Sequence, residues 1–517
     1  MKRYIYILFV LISGILISCN DFLDTMPDDR AELNSVDKIT AMLVSAYPTN
    51  SPQLITEMSS DNAMDNGPLY TPYNQEQEDS YLWKDITTTG NDSPNAIWNA
   101  HYRAVASANQ ALQAIEDLGD LEVLQGQKGE ALIARAYAHF ALSNVFCLAY
   151  NPERADIDFG IPYSEKPETQ VIVMYERGTM NELYEKIDAD IKAGFPLIDD
   201  NLYKVPKYHF NKKAAAAFAA RFYLYYQKLD EAIKYADLAL GDMPEKLINK
   251  WSEMYGLASN LSLRSDRYIS SSDPGNFLIT PAISSAPYVF GPYSIGQRYG
   301  HARPITMNES LRAIGIWGAH SKLFMGAAMW GFDQKLCAPK VGAYFEYTDK
   351  VAGIGYLHSV PVSFTAAETL LVRAEAKLLK NNLDGGVSDI NLWMKASTVD
   401  RVTFTKEEII NFYGGLKYMP LKVTKDTDRS IKKVLNPMGF TVTEGDQESL
   451  IQCLLHLRRI ETLHEGLRWY DIKRYGIEIA HNRDGLEDDV LLKDDPRRAI
   501  QIPQDVISAG LSANPRK

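Results

Sequence analysis

Apolar side chains recur along much of this chain at the spacing of α-helices. Between Glu130 and Phe146, Ile133, Ala136, Tyr137 and Phe140 fall at i, i+3, i+4 and i+7 and form one stripe. Ala131, Ala134, Ala138 and Ala141 line an adjacent face of small residues that lets a neighbouring helix come close. Ala96–Leu118, with Trp98, Val105, Leu112 and Ile115 as apolar points, is predicted to be its antiparallel partner across a turn at Gly119-Asp120. The pattern returns twice. Lys213–Gln227 is followed, after a break at Leu229-Asp230, by Glu231–Leu240. Thr365–Lys380 is followed, after Asp384-Gly-Gly, by a helix near Val387–Lys395. Arg135, Arg221 and Arg373 occupy similar places in these three helix pairs.

Segments such as Glu231-Ala-Ile-Lys-Tyr-Ala-Asp-Leu-Ala-Leu look like the second helix of a tetratricopeptide unit. The arginines are unequally spaced, so the chain is no regular solenoid. Generic amphipathic helices would give the same stripes. The fold class that follows is mostly α: tetratricopeptide-like helix pairs form a helical scaffold, and insertions form a loop-rich, irregular subdomain. Two stretches break the helical pattern. Pro52–Pro94 and Asp273–Tyr347 are dense in Pro, Gly and aromatics, and long irregular segments inside a compact protein are usually functional. Both carry too many large apolar residues for disorder and read as ordered loops with short strands. The expected organisation is a scaffold from about 31–51, 95–260, 360–400 and 446–480, with insertions at about 52–94 and 261–359.

Charge narrows the partners. The formal net charge of −12 and pI near 5.4 disfavour nucleic acid, whose binding rests on neutralising phosphates. Four cysteines are present, Cys19, Cys147, Cys337 and Cys453. Cys147 and Cys453 sit among apolar helical residues, where a thiol acts as a small hydrophobe, and spacing leaves a single disulfide open.

The N-terminus has the layout of an export signal. Lys2 and Arg3 precede an apolar run, Tyr4–Ile17, too short for a comfortable membrane span. Ser18-Cys19 then resembles a bacterial lipobox, in which residues 1–18 are removed and the Cys19 thiol carries lipid. Several acyl chains on one residue suffice for stable anchoring without a span. Beyond this leader no run of 18 apolar residues occurs, so no transmembrane helix is expected.

Near the C-terminus stands Arg458-Arg459-Ile460-Glu461-Thr-Leu-His-Glu465-Gly466-Leu-Arg468-Trp469-Tyr470-Asp471-Ile-Lys-Arg474-Tyr475-Gly476. It closely resembles the terminal signature of the SusD/RagB family of Bacteroidetes outer-membrane lipoproteins. Cys19-Asn-Asp-Phe-Leu-Asp resembles the family's mature start. Glu130-Ala-x-x-x-Arg-Ala-Tyr resembles its second helix pair, and Ile502-Pro-Gln-Asp with Asn514-Pro515 its tail. The resemblance spans the chain in the family's order. It implies a SusD-like domain over residues 19–517 that binds glycan oligosaccharides, or peptides in some members. The domain would sit on the cell outer membrane, facing outwards as Asp21 and Asp24 after the anchor suggest. Its implied partner is a SusC-like TonB-dependent barrel transporter that receives the ligand.

Read on its own residues, the terminal motif puts Arg458, Glu461, Glu465 and Arg468 on one helical face, with Ile460, Leu463 and Leu467 opposite. The spacing predicts ion pairs along the helix that keep both glutamates ionised. No Gly-x-Ser-x-Gly elbow, Walker loop, His-Glu-x-x-His or dinucleotide fingerprint occurs, so the chain reads as a binder without catalytic residues or cofactor. A glycosidase formed by two distant carboxylates would be invisible in sequence and stays open, as does a purely adhesive role. The spacing of Asp61, Asn62 and Asp65 does not match a calcium loop, so no metal is expected.

Sugar rings offer C–H faces to aromatic rings and hydroxyls to polar groups, and Tyr and Trp supply both kinds of contact. Aromatics beside Pro, Gly or polar residues in the two insertions are therefore the candidates. Tyr73, Trp83, Tyr288, Tyr293 and Trp317 are expected to carry the ligand. Arg298, His301 and Arg303 read as a solvated basic loop.

Overall fold

The computed structural model describes residues 33–168, 174–257, 260–293 and 296–516. The expected export signal and the expected lipid-bearing Cys19 lie outside the described residues. From the N-terminal side, α1 (Val36–Leu43), α2 (Gln53–Ser59) and α3 (Gln75–Tyr81) precede the first long pair, α4 (Pro94–Asp117) and α5 (Gln125–Phe146). Ser93 caps α4 by accepting from the Ala96 N–H, and Pro94 stands in its first turn. The chain reverses at Gly119 and Asp120, both at positive φ. Next, α6 (Met180–Gly194) packs on α5, its start closed by a capping box of Thr179 and Glu182. The second pair is α7 (Lys212–Tyr225) and α8 (Leu229–Leu240). Helices α9 (Lys250–Tyr255) and α10 (Leu261–Tyr268) lead into the second insertion, which holds α11 (Ala286–Phe290) and α12 (Arg303–Asn308). The third pair, α13 (Ala366–Leu379) and α14 (Leu383–Ser397), follows. The C-terminal part adds α15 (Lys406–Gly414), α16 (Asp446–Glu461), α17 (Leu467–Arg474) and α18 (Gln504–Ser508).

Each pair packs as the stripes predict, and α13 joins α7 and α8 to α16. The repeated arginines have a common task. Arg135 makes a two-pronged bond to Asp190 on α6, at 2.7 Å for each prong. Arg221 donates to Glu368 on α13 at 3.1 Å, and Arg373 grips Asp389 on α14 at 3.0 and 2.7 Å. All three are buried, so each fixes one helix against a neighbour through a planar fork that lysine cannot supply. Cys147, Cys337 and Cys453 are buried free thiols.

The first insertion corrects the sequence reading. Pro52–Pro94 is not loop throughout, because α2 and α3 lie inside it. Every residue of α2 is buried, so it has no amphipathic stripe to betray it. Its polar members are bonded internally: the Glu57 carboxylate accepts from Asn62 Nδ2 at 2.8 Å and from the Gly466 N–H at 3.1 Å.

The terminal motif also folds differently from the continuous helix its spacing suggests. Helix α16 stops at Glu461, and α17 begins after Gly466 at φ +77. A Cβ on Gly466 would lie 2.2 Å from Thr56 Oγ1, so glycine is required on both grounds. Most of the charged residues then pair across the fold, while Asp471 takes its arginines, Arg458 and Arg474, from within the motif. Arg458 meets Asp471 at 3.0 Å and Glu375 at 3.6 Å. Arg459 meets Glu309 at 3.3 Å, and Arg468 grips Asp61 with two bonds of 2.8 Å. Glu461 accepts from Trp393 Nε1 at 2.9 Å, and Glu465 accepts from Tyr268 and Lys340 at 2.8 and 3.0 Å. Burial pushes the Glu461 carboxyl upwards, against the expectation of an arginine-stabilised carboxylate.

Short strands lie in both insertions and near the C-terminus. β1 (Met64–Asp65) lies in the first insertion. The second insertion region contributes β2 (Asn276–Ile279), β3 (Ala282–Ile283), β4 (Tyr299–Gly300), β5 (Ala328–Trp330), β6 (Lys335–Cys337), β7 (Tyr344–Asp349), β8 (Ile354–Ser359) and β9 (Val362–Thr365). A last hairpin joins β10 (Ile479–His481) to β11 (Asp489–Leu491). β3, β8 and β7 form the one three-stranded sheet among the described residues. No helix of the described residues is long and apolar enough to cross a membrane.

Candidate functional site

The two insertions, far apart in sequence, are stitched together along one seam. β1 pairs antiparallel with β4, setting Met64 opposite Gly300 and Asp65 opposite Tyr299. The Asn66 N–H donates to the Arg298 carbonyl at 2.7 Å, and the Arg298 N–H donates to Thr71 at 3.0 Å. The Arg298 side chain closes the seam with two bonds of 3.2 Å to Asp65.

This seam brings three of the expected tyrosines to one place. Tyr73 precedes Asn74, the N-cap of α3, and its N–H donates to Gln77 Oε1 at 2.6 Å. Tyr288 is the one residue of α11 that is not buried; Ala286, Pro287, Val289 and Phe290 anchor the helix beneath it. Lys335 Nζ donates to the Tyr288 carbonyl at 3.0 Å. Tyr293 follows Gly291, where a Cβ would lie 2.8 Å from the tyrosine ring, so glycine lets that ring fold over the backbone. Ring centroids are 5.6 Å apart for Tyr73 and Tyr288 and 6.3 Å apart for Tyr288 and Tyr293. Tyr73 is 37% exposed and Tyr293 38%, so the cluster is part-exposed to solvent, with Tyr73 tilted against Tyr288 and Tyr288 edge to face with Tyr293.

Behind the cluster lies Asp92, buried, which accepts from the Ser284 hydroxyl and, at 2.8 Å, from the Ser285 N–H. It thereby holds the N-terminal end of α11. Burial raises its carboxyl from 3.8 to about 6. Tyr344, half-buried and near Tyr293, donates to Asp266 at 2.8 Å and extends the tyrosine surface. Sequence reasoning passed over Asp92, Asp266 and Tyr344; the aromatic density of Tyr344-Phe-Glu-Tyr was the only available sign of the last.

Trp83 and Trp317 do not join this surface, and their assignment to it is corrected. Trp83 is 7% exposed; its indole donates to the Ser59 carbonyl at 2.9 Å and stacks on His481 at 4.0 Å. With Tyr81 and Tyr299 it belongs to a run of stacked rings inside the molecule. Trp317 is 6% exposed and stacks on His456 at 5.2 Å. Large rings bury wherever a cavity fits them, and neighbouring Pro and Gly do not reveal that. The basic loop is solvated only in part. His301 is buried, Arg298 is paired with Asp65, and Arg303 is exposed but meets Asp333 at 3.3 Å. Asp61, grouped with possible cation ligands by sequence, is held by Arg468 and Arg459 well below the usual carboxylate range.

Two of the cavities elsewhere among the described residues bear on a ligand. One, of about 120 Å³, is enclosed by Gln53, His101, Tyr137, Arg221, Tyr268 and Tyr470 and falls short of the roughly 300 Å³ at which ligand pockets begin. The other, of about 300 Å³, is an open depression lined by Trp98, Tyr102, Met174, Tyr175 and Asp505.

Comparison with known proteins agrees with this architecture. Residues 21–224 match a SusD-like family model described as starch-binding associating with outer membrane. No curated protein matches the sequence. A SusD superfamily protein from Bacteroides fragilis is 17% identical, with a TM-score of 0.61 over 93% of this chain and 99% of that one. One from Bacteroides thetaiotaomicron is 16% identical, with a TM-score of 0.61 over 92% and 98%. A SusD-like carbohydrate binding protein from Bacteroides vulgatus is 14% identical, with a TM-score of 0.58 over 92% and 96%. Residues 21–224 thus match the SusD-like family model, and over nearly its whole length the chain has the fold of the SusD superfamily structures.

Proposed function

We propose that this protein is a lipid-anchored outer-membrane binder of oligosaccharides, tethered through Cys19, that holds its ligand on Tyr73, Tyr288 and Tyr293 without cleaving it. It passes the ligand to a SusC-like TonB-dependent transporter. The observation that carries the reading is the meeting of three part-exposed tyrosines, contributed by both insertions, on one rigid seam. Their ring faces suit the C–H faces of sugars, and their hydroxyls suit the rim. The family description and the carbohydrate-binding relative support the ligand class. The apolar leader ending at Cys19 supports the anchor.

A glycan array followed by calorimetry tests it. Tyr73→Ala, Tyr288→Ala and Tyr293→Ala are each expected to weaken binding by about two- to tenfold, the value of a stacked ring, with unchanged Tm and no new reducing ends. Cells carrying the triple variant are expected to take the glycan up more slowly. Undiminished affinity in all three variants would move the site to the depression between Trp98 and Tyr175.

A further inference from the structure

We propose that Glu57, His301 and His464 form a binding site for one divalent transition-metal ion of the zinc class. One carboxylate oxygen and one ring nitrogen from each histidine lie within 4.8 Å of one another, and among the described residues this is the one such group. All three side chains are buried: Glu57 and His464 are 0% exposed and His301 is 1% exposed. His301 Nδ1 and both ring nitrogens of His464 have no hydrogen-bond partner among the described residues. A buried polar atom left without a partner costs about 1–3 kcal/mol, so two such nitrogens, one from each histidine, at one spot call for an occupant.

The Ser310 hydroxyl lies 2.7 Å from His301 Nε2 and 3.4 Å from the Ile305 carbonyl; with the hydroxyl proton on that carbonyl, Nε2 carries the ring N–H and Nδ1, which has no other partner among the described residues, is free to bind. A ligating imidazole whose other nitrogen is tied to a neighbour is the usual arrangement at metal sites. His464 is held by stacking on Phe290 at 4.8 Å, with the His301 ring at 5.4 Å and 74° to it. Glu57 spends three acceptor positions on Asn62, His464 N–H and Gly466 N–H, and a carboxylate has about four. Two imidazoles and one carboxylate suit zinc and its neighbours rather than calcium or magnesium, which prefer all-oxygen shells.

The nearest positive side chains are mostly neutralised. Arg459 is paired with Asp61 and Glu309, and Lys340 with Glu465; Lys335, lowered by burial to about 8, keeps its charge at neutral pH and donates to the Tyr288 carbonyl. Zinc–ligand bonds of about 2.0–2.1 Å place donor atoms about 3.4 Å apart, so the three side chains draw together on loading. The ion would clip three distant pieces together: α2 in the first insertion, the residue after β4 in the second, and the turn between α16 and α17. That is the underside of the seam carrying the tyrosines. Ligands at positions 57, 301 and 464 leave no local motif, which is why sequence spacing alone points to no metal.

The test uses the full chain without an affinity tag, purified in detergent from zinc-supplemented cells. One zinc per chain is expected by mass spectrometry of the metal. Chelation should lower Tm and added zinc restore it, and cobalt should give visible d–d absorption. His464→Phe keeps the ring stacked on Phe290 and should lose the metal, the cobalt bands and the zinc-dependent rise in Tm, with circular dichroism unchanged. Glu57→Gln should do the same and serves if the first variant misfolds. Wild type that neither retains nor takes up zinc overturns the proposal, as does full zinc content in both variants.

Discussion

Tyr73 and Trp83 stand in the same insertion, yet one ring meets water and the other is sealed against His481. The difference lies in what each backbone position faces, not in residue type. Burial likewise decides how side chains titrate. The Asp92 carboxyl, raised from 3.8 to about 6, is more readily protonated in the folded protein than in the unfolded chain. Its contribution is therefore fully present below about pH 4 and lost as pH rises through 6, by up to about 3 kcal/mol. Asp92→Asn is expected to remove that component. Urea unfolding at pH 4, 5, 6 and 7 would show the wild type losing stability relative to the variant as pH rises. A constant difference across the series would disprove it.

At the scale of elements, the arginine clamps hold the helix pairs in register. Arg135 and Asp190 are nearly buried, with side-chain exposures of 8% and 10%. Arg135→Met strands a carboxylate in the interior and is expected to cost about 3–5 kcal/mol, whereas Arg135→Met with Asp190→Leu should recover most of it. Chemical denaturation of both variants decides; a single variant within about 1 kcal/mol of wild type would show that the clamp contributes little. The helix pairs were readable because apolar residues and alanines recur over three turns or more, as in α4 with Ile97, Val105 and Ile115 and in α7, buried from Ala214 to Tyr225. Helix α2 was not, since it is only two turns long and its polar residues resemble a loop's. The terminal motif was recognisable as a string but not as a structure. Its arginines pair with Asp61, Glu309, Glu375 and Asp471, three of which lie outside the motif.

Across the whole molecule, many titratable groups are interior. Burial lowers His101 to about 4 and His139 and His456 to about 3, and His481 shifts the same way. Their folded values lie below the ordinary 6.5, so they contribute stability above that pH that is lost as pH falls. Near pH 5 the first three alone give a slope of about 4 kcal/mol per pH unit. Calorimetric unfolding in two buffers of different ionisation enthalpy is expected to show uptake of at least about three protons. No net uptake would mean these rings are already charged in the fold.

What the chain's order of residues settled by itself was periodic or local: the stripes of the helix pairs and the capping and turn residues between them. Such features need only a few neighbouring positions to express them. The tertiary structure alone decided which rings face water, which carboxylates meet which arginines, and that Glu57, His301 and His464 converge. Those outcomes depend on contacts between segments hundreds of residues apart, such as the pairing of Asp65 with Tyr299, and no spacing along the chain encodes them.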